Sequence, residues 1–384
     1  MALFIIKKLP NLKPLIGLIA FLGAMNLTVL SQSDTAYSFF VAGHTYGKPG
    51  ANNPGFHPPF KDKFNYIQNR TEIEFGVLTG DIVSANPSEQ DWEEVDADID
   101  TLGLPVHFAV GNHDMENRPV FEARYGTTYY SFVHKKDLFI ILDPNIDGWS
   151  IKGAQLDFLE AAIHDNYLNT EHIFVFFHQL LWKAGNSDFD FIKINSFAGQ
   201  VNPVNFWSTI IPMFDSLPNK TFMLAGDLGA SWASDVSYDR YHNVTFISTG
   251  MGDEDGENFI VVNIDSTKSV DYDIICLSDS SENCLGDLTD YLTVDVVNDI
   301  QGSQITNKNK SFLYPNPTSN SVTIDIHQAS TFQVFDLTGA LVFETHFGKK
   351  VAHQQIELPE LAKGIYLAKL IGSKTQSTQT LFIE

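Results

Sequence analysis

Five apolar runs in the middle of the chain end on residues that bind metal ions or move protons. Tyr37 to Gly43 is followed by His44, Phe75 to Gly80 by Asp81, and Pro105 to Gly111 by Asn112, His113 and Asp114. Ile173 to Phe177 is followed by His178, and Thr221 to Gly226 by Asp227. A single Asp or His after a strand is ordinarily a cap or a surface residue. Their joint occurrence supplies carboxylate and amide oxygens together with imidazole nitrogens, the donor set that a borderline divalent or trivalent ion such as zinc, iron or manganese takes.

The elements that must position these residues follow from the pattern. Each run is almost continuously apolar rather than alternating, which marks strands buried on both faces. Between them lie amphipathic helical patterns with acidic outer faces, Ser88 to Leu102 and Gly153 to Asp165. Strands alternating with such helices predict an α/β fold with its sheet covered on both sides, and ligands in such folds collect beyond the C-terminal ends of the strands.

The order and spacing resemble the calcineurin-like metallophosphoesterase family over residues 36–268. Gly80-Asp81, Gly111-Asn112-His113-Asp114 and the isolated His178 stand as that family has them. Tyr125-Gly126, Tyr129-Tyr130-Ser131-Phe132, Phe139 to Asp143 and Gln155 at the start of a helix match as well. The resemblance implies a two-sheet αββα sandwich, occupying residues 34–268, with two metals at the strand ends. It also implies metal-assisted hydrolysis, in which water made acidic by the ions attacks phosphorus in line. Asp81 would bridge the ions, His113 would protonate the leaving group or stabilise its charge, and Asp114 would orient His113.

Two motifs depart from the family. Its first motif is Asp-x-His, but here His44 stands in place of the Asp and Tyr46 in place of the His. Its last is Gly-His-x-His, but here Asp227 replaces the first His and Gly229 the second. Carried over by position, one site keeps Asp81, Asn112, His178 and Asp227, while the other has His44, Tyr46, Asp81 and nothing from Gly229. Either His44 and Asp227 have in effect exchanged roles, with Tyr46 adding an oxygen that ferric iron would favour, or the first site is empty and one ion remains. The expectation is an occupied, modified site. The long polar loop after His44 would wall the site; Lys48 and His57 in it are read as exposed loop residues, with a substrate contact as the alternative, and Arg118 and Arg124 as anion-binding or ion-paired. Trp182, His134, His164, His172 and His242 are read as surface or core.

The outer segments address the protein rather than act on substrate. Residues 1–33 hold Lys7, Lys8 and Lys13, then an uncharged apolar run from Leu15 to Leu30, then a polar end, which is the layout of a signal peptide cleaved near Ser31 or Ser33. No other segment has a comparable run, so no stable membrane span is expected. Residues 269–310 are a linker or an edge of the central domain. They contain Cys276 and Cys284, the only two cysteines, and a small disulfide is expected in an exported chain. From Ser311 onward, alternating segments such as Val322-Ile324-Ile326 predict a small antiparallel β-sandwich. Tyr314-Pro315-Asn316-Pro317-Thr318, the run from Val334 to Val342, and Gly364-Ile365-Tyr366-Leu367 resemble the C-terminal sorting domain of the Bacteroidetes type IX secretion system, over 311–384. That resemblance implies the secretion machinery as a partner, and a secreted or cell-surface protein.

Charge narrows the substrates. The 384 residues carry 24 Lys and Arg against 47 Asp and Glu, and residues 34–309 alone account for 15 basic and 41 acidic groups, net −26. A surface of that sign repels nucleic acid and other long polyanions. The function expected is therefore a secreted, metal-dependent phosphoesterase acting on a phosphomonoester or phosphodiester. The alternatives are a non-catalytic, metal-stabilised binding protein with a degraded first site, and a hydrolase of another class that reuses the centre. His113 argues for catalysis, since a structural metal has no use for an acid there. The missing side chain at Gly229 argues the other way.

Overall fold

The computed structural model describes residues 36–296 except 49, 52, 216, 253–255 and 279–284, and residues 313–383 except 315, 326–328, 337–338, 348–352 and 373–375. The expected signal peptide lies outside the described residues. Among the described residues, no helix is long and apolar enough to cross a membrane.

The larger domain contains β1 (Tyr37–Ala42), β2 (Ile73–Leu78), β3 (Val106–Phe108), β4 (Tyr130–His134), β5 (Asp137–Ile141) and β6 (His172–Phe176). It continues with β7 (Lys220–Leu228), β8 (Val236–Tyr241), β9 (Val244–Gly250), β10 (Asn258–Ile264), β11 (Val270–Cys276) and β12 (Leu292–Val296). These form one sheet in the order β11-β10-β1-β2-β3 and a second in the order β12-β8-β9-β7-β6-β5-β4. Strands β1, β2 and β3 run parallel in the first, as do β5, β6, β7 and β9 in the second, so all five expected strand ends point the same way within their sheets. The αββα sandwich anticipated from the sequence is the one observed. Residues 270–276 and 292–296 belong to its sheets as edge strands rather than to a linker. Cys276, at the end of β11, is a disulfide cysteine, while Cys284 lies outside the described residues.

Strand periodicity divides the core into layers. On β1, Phe39 and Val41 point between the sheets, where Phe39 stacks on Phe75 at 5.2 Å and Phe139 stacks on Phe174 at 5.1 Å. Phe40 and Ala42 point outward under helices. That outer layer is α1 (Pro58–Asp62), α2 (Phe64–Asn69), α3 (Glu89–Leu102) and α4 (Arg118–Tyr125). Helix α3 begins where the sequence places it because Ser88 and Asp91 form a reciprocal capping box. On the other sheet lie α5 (Gly153–Asn166) and α6 (Ile211–Asp215).

The strands of the C-terminal part pair antiparallel: β13 (Leu313–Tyr314), β14 (Ser321–Asp325), β15 (Ala329–Phe335), β16 (Leu341–His346), β17 (His353–Glu357), β18 (Gly364–Gly372) and β19 (Gln376–Ile383). They form sheets β13-β14-β17 and β16-β15-β18-β19 around Val322, Ile324, Phe332, Val334 and Leu381. Ile365 and Phe382 instead join the apolar cluster of the larger domain, and the Phe382 ring stacks on Tyr167 at 4.6 Å just past α5.

Candidate metal centre

The two sheets nearly touch where β1 and β7 end. A Cβ on Gly43 would lie 2.4 Å from the Gly226 Cα, and a Cβ on Gly226 would lie 2.1 Å from the Thr79 carbonyl oxygen. No side chain fits at either position, and only this close approach lets residues of one sheet meet those of the other. Just beyond, His44 and Asp81 leave their strands with φ of 58° and 49°. Left-handed backbone on non-glycine residues costs energy and gathers at functional sites.

Asp81, His178 and Asp227 form one cluster, with a ligand atom of each lying within 4.8 Å of the others. His178 Nε2 is 3.4 Å from Asp81 Oδ2 and 3.7 Å from Asp227 Oδ1, too long for good hydrogen bonds. All three side chains are buried. His178 Nε2 and both Asp227 oxygens have no well-formed hydrogen bond, and the Ser196 backbone amide pulls only weakly on Asp227. His178 is aimed from behind: its Nδ1 donates to the Thr79 carbonyl at 2.9 Å, which leaves Nε2 facing the carboxylates.

The electrostatics show what the cluster wants. Burial pushes the Asp227 carboxyl up to about 8, against the pull of His178. Burial would lower His178, but Asp81 and Asp227 carry it up to about 10. Burial would raise Asp81, yet His178, then His113 and His44, hold it below the usual carboxylate range. Burial drives Asp227 towards its neutral form for want of a stronger positive partner, and its two oxygens and His178 Nε2 lack well-formed hydrogen bonds, so a cation is the natural occupant. The residues present therefore fit the ion that the donor set implies.

The other expected residues take distinct places. His44 Nε2 faces the same Asp81 Oδ2 at 3.8 Å, while its Nδ1 donates to the Met251 carbonyl at 2.8 Å. Burial lowers its pKa to about 4, so this imidazole is neutral and its Nε2 lone pair is available. The Tyr46 ring packs on His44 with centroids 4.5 Å apart, and burial followed by Asp81 raises its phenol well above the ordinary value. Asn112 is half-buried in the turn after Gly111. His113 donates its backbone N–H to Asp81 Oδ1 at 3.0 Å, and its Nε2 lies 3.7 Å from Asp81 Oδ2.

Three expectations need correction. Asp114 does not orient His113. Its carboxylate turns inward to accept backbone N–H groups of Ile82 (2.9 Å), Val83 (3.1 Å) and Gly111 (2.7 Å), and His113 Nδ1 has no partner. Three donors converging on a buried carboxylate outbid one imidazole, so Asp114 ties the Asp81 loop to the His113 turn. His57 is no exposed loop residue but is buried, its Nε2 2.8 Å from Glu257 Oε1, which also accepts the Gly252 N–H. Gly229 has not merely lost a side chain: φ is +94°, and a Cβ there would lie 2.3 Å from Met251 N and 2.4 Å from Gly250 C. Backbone fills the space where the family's last histidine would project. Arg118 is taken up by buried Asp143 at 2.8 Å, and Arg124 by Asp96. Sequence reasoning missed the Thr79 and Met251 carbonyls and Glu257. The carbonyls carry no residue-type signal, and Glu257 is far in sequence from His57.

Residues 27–251 match the calcineurin-like phosphoesterase family, and residues 312–384 match the secretion system C-terminal sorting domain. The second match marks a protein exported through the type IX system, secreted or held at the cell surface. No curated protein matches the chain. Among solved structures, a purple acid phosphatase isolated from yellow lupin (Lupinus luteus) seeds aligns at 14% identity with a TM-score of 0.46, covering 69% of this chain and 55% of the lupin one. The chain thus spans little more than half of that relative. A Thermus thermophilus protein aligns at 9% identity with a TM-score of 0.35, covering 62% of this chain and 98% of its own.

Proposed function

Since the chain belongs to the calcineurin-like phosphoesterase family, we propose that it hydrolyses a phosphomonoester or phosphodiester outside the cell, at a centre holding one tightly bound ion. The observation that carries this reading is the buried trio of Asp81, His178 and Asp227 with its unpartnered ligand atoms. Iron, zinc or manganese would suit those donors. Such an ion supplies Lewis acidity, lowering the pKa of water and neutralising phosphoryl oxygens.

The chain's own groups have separable tasks in this reading. The Thr79 and Met251 carbonyls fix the tautomers of His178 and His44. By its place in the motif Asn112 would add an amide oxygen, and Asp114 fixes the turn that carries it. His113, whose side chain is 29% exposed, would pass a proton to a departing alkoxide. His44 and Tyr46 remain from the family's first site, which lacks a ligand because backbone occupies the room beside Gly229.

That closed position favours one alternative, a metal-stabilised binding protein without turnover. Elemental mass spectrometry and phosphoesterase assays on the exported protein separate the two. The proposal expects about one ion per chain, lost in Asp227→Ala, and turnover abolished in His113→Ala with the ion retained. A wild-type protein that holds its ion and cleaves neither monoesters nor diesters would overturn the catalytic reading.

A further inference from the structure

We infer that Trp232 is an aromatic platform at the mouth of the metal centre, and that the esters taken there carry a flat aromatic ring on the alcohol side of phosphorus. This rests on the phosphoesterase reading above and narrows its substrate class. Phe191, Phe197, Val201 and Trp232 are among the strongly exposed large hydrophobic residues, and all four lie in the connections that leave β6 and β7 at their ligand-bearing ends. Trp232 is 56% exposed.

The ring is exposed but not loose. Its indole N–H donates to the Asn195 carbonyl at 3.0 Å. Asn195 in turn donates its backbone N–H to the Asp227 carbonyl at 3.0 Å and its Nδ2 to the Leu228 carbonyl at 2.8 Å, and its Oδ1 accepts from the Ala230 N–H at 3.0 Å. Two successive hydrogen bonds therefore separate the indole from the backbone of a metal ligand. The surrounding turn is laced as well, by Gly229 N–H to the Ser234 carbonyl and Ser234 N–H to the Lys193 carbonyl.

The indole's one polar atom is satisfied at its edge, while much of its surface meets water. A scattered surface aromatic needs no explanation, but this one is tied through Asn195 to the backbone of Asp227, and an exposed ring held in one place is suited to stack against a planar group. The net charge of −26 over residues 34–309 repels long polyanions, which favours a small ester as the ring's partner. An aryl group and a nucleobase share this chemistry.

The test titrates the metal-loaded full chain with phenylphosphonate, methylphosphonate and AMP by calorimetry, and follows hydrolysis of phenyl and methyl phosphate alongside. The wild type should bind the aromatic ligands about tenfold more tightly than methylphosphonate, by the usual worth of one stacked ring. Trp232→Ala should erase that preference and Trp232→Phe should largely keep it. Preference for phenylphosphonate without AMP would identify an aryl ester, and preference for both would admit nucleotides. Absence of preference in the wild type, or its survival in Trp232→Ala, overturns the inference. Preference without hydrolysis of any ester would overturn the phosphoesterase reading and leave the platform standing.

Discussion

Restoring the family's missing histidine by Gly229→His should fail, and the geometry says by how much. Forcing a non-glycine residue to a φ of +94° costs about 1–2 kcal/mol. The new Cβ would also meet Met251 N at 2.3 Å and Gly250 C at 2.4 Å. Those are backbone atoms at the end of β9, so no rotamer change relieves them. Overpacking of that kind adds about 1–3 kcal/mol. The sum, about 2–5 kcal/mol, should lower the thermal midpoint by about 10 °C in a domain of this size. Scanning calorimetry of wild type, Gly229→Ala and Gly229→His would show both variants falling by similar amounts, because the clash belongs to the Cβ and not to the imidazole. Elemental analysis should find no second ion in the histidine variant. A Gly229→His protein as stable as its parent and carrying an added ion would refute the reasoning, and would mean that the first site lacks nothing but a side chain.

Three further outcomes follow from the same structure. Asp114→Asn should lose at least one of three backbone hydrogen bonds to a buried acceptor and cost about 2–3 kcal/mol, so denaturant unfolding should weaken together with turnover; turnover lost at full stability would return Asp114 to direct catalysis. His107, held down to about 4 by burial and then by His134, stays neutral in the fold while the unfolded chain protonates below about 6.5. Stability should therefore fall as pH drops from about 6.5 towards 4, by about 1–2 kcal/mol after allowing for partial exposure, and His107→Phe should flatten that slope in urea titrations. Phe382→Ala should remove the ring stacked on Tyr167 and cost about 3 kcal/mol, read as a lower thermal midpoint for the larger domain; an unchanged midpoint would show that the two parts unfold independently.

Much of this architecture is legible in the chain because its strands are long apolar runs. The five strand ends, the helix capped at Ser88 and the antiparallel tail are all where local pattern puts them. The site is legible in residue type and only partly in geometry. His178 and Asp81 meet as expected, since each follows a strand of fixed direction. Asp114 could not be assigned from sequence, because two of its three partners are backbone N–H groups of a loop about thirty residues upstream. Gly229 reads as a missing ligand, whereas only the path of Met251 shows the place to be filled. Trp232 carries no motif at all, and its meaning comes from Asn195 pinning it beside Asp227.

The close approach of the two sheets at Gly43 and Gly226 has a temporal consequence. Asp81 comes from one sheet, and His178 and Asp227 from the other, so no early segment of the chain holds a binding pocket of its own. Before the two sheets dock, the chain carries its ligands scattered and captures ions poorly. Loading would then belong to the compartment where the last ligand strand docks, and an ion held there would fasten the two halves as a clasp does. Its removal should loosen that seam first, with hydrogen exchange rising at the ends of β2 and β7 before the rest of the sandwich responds.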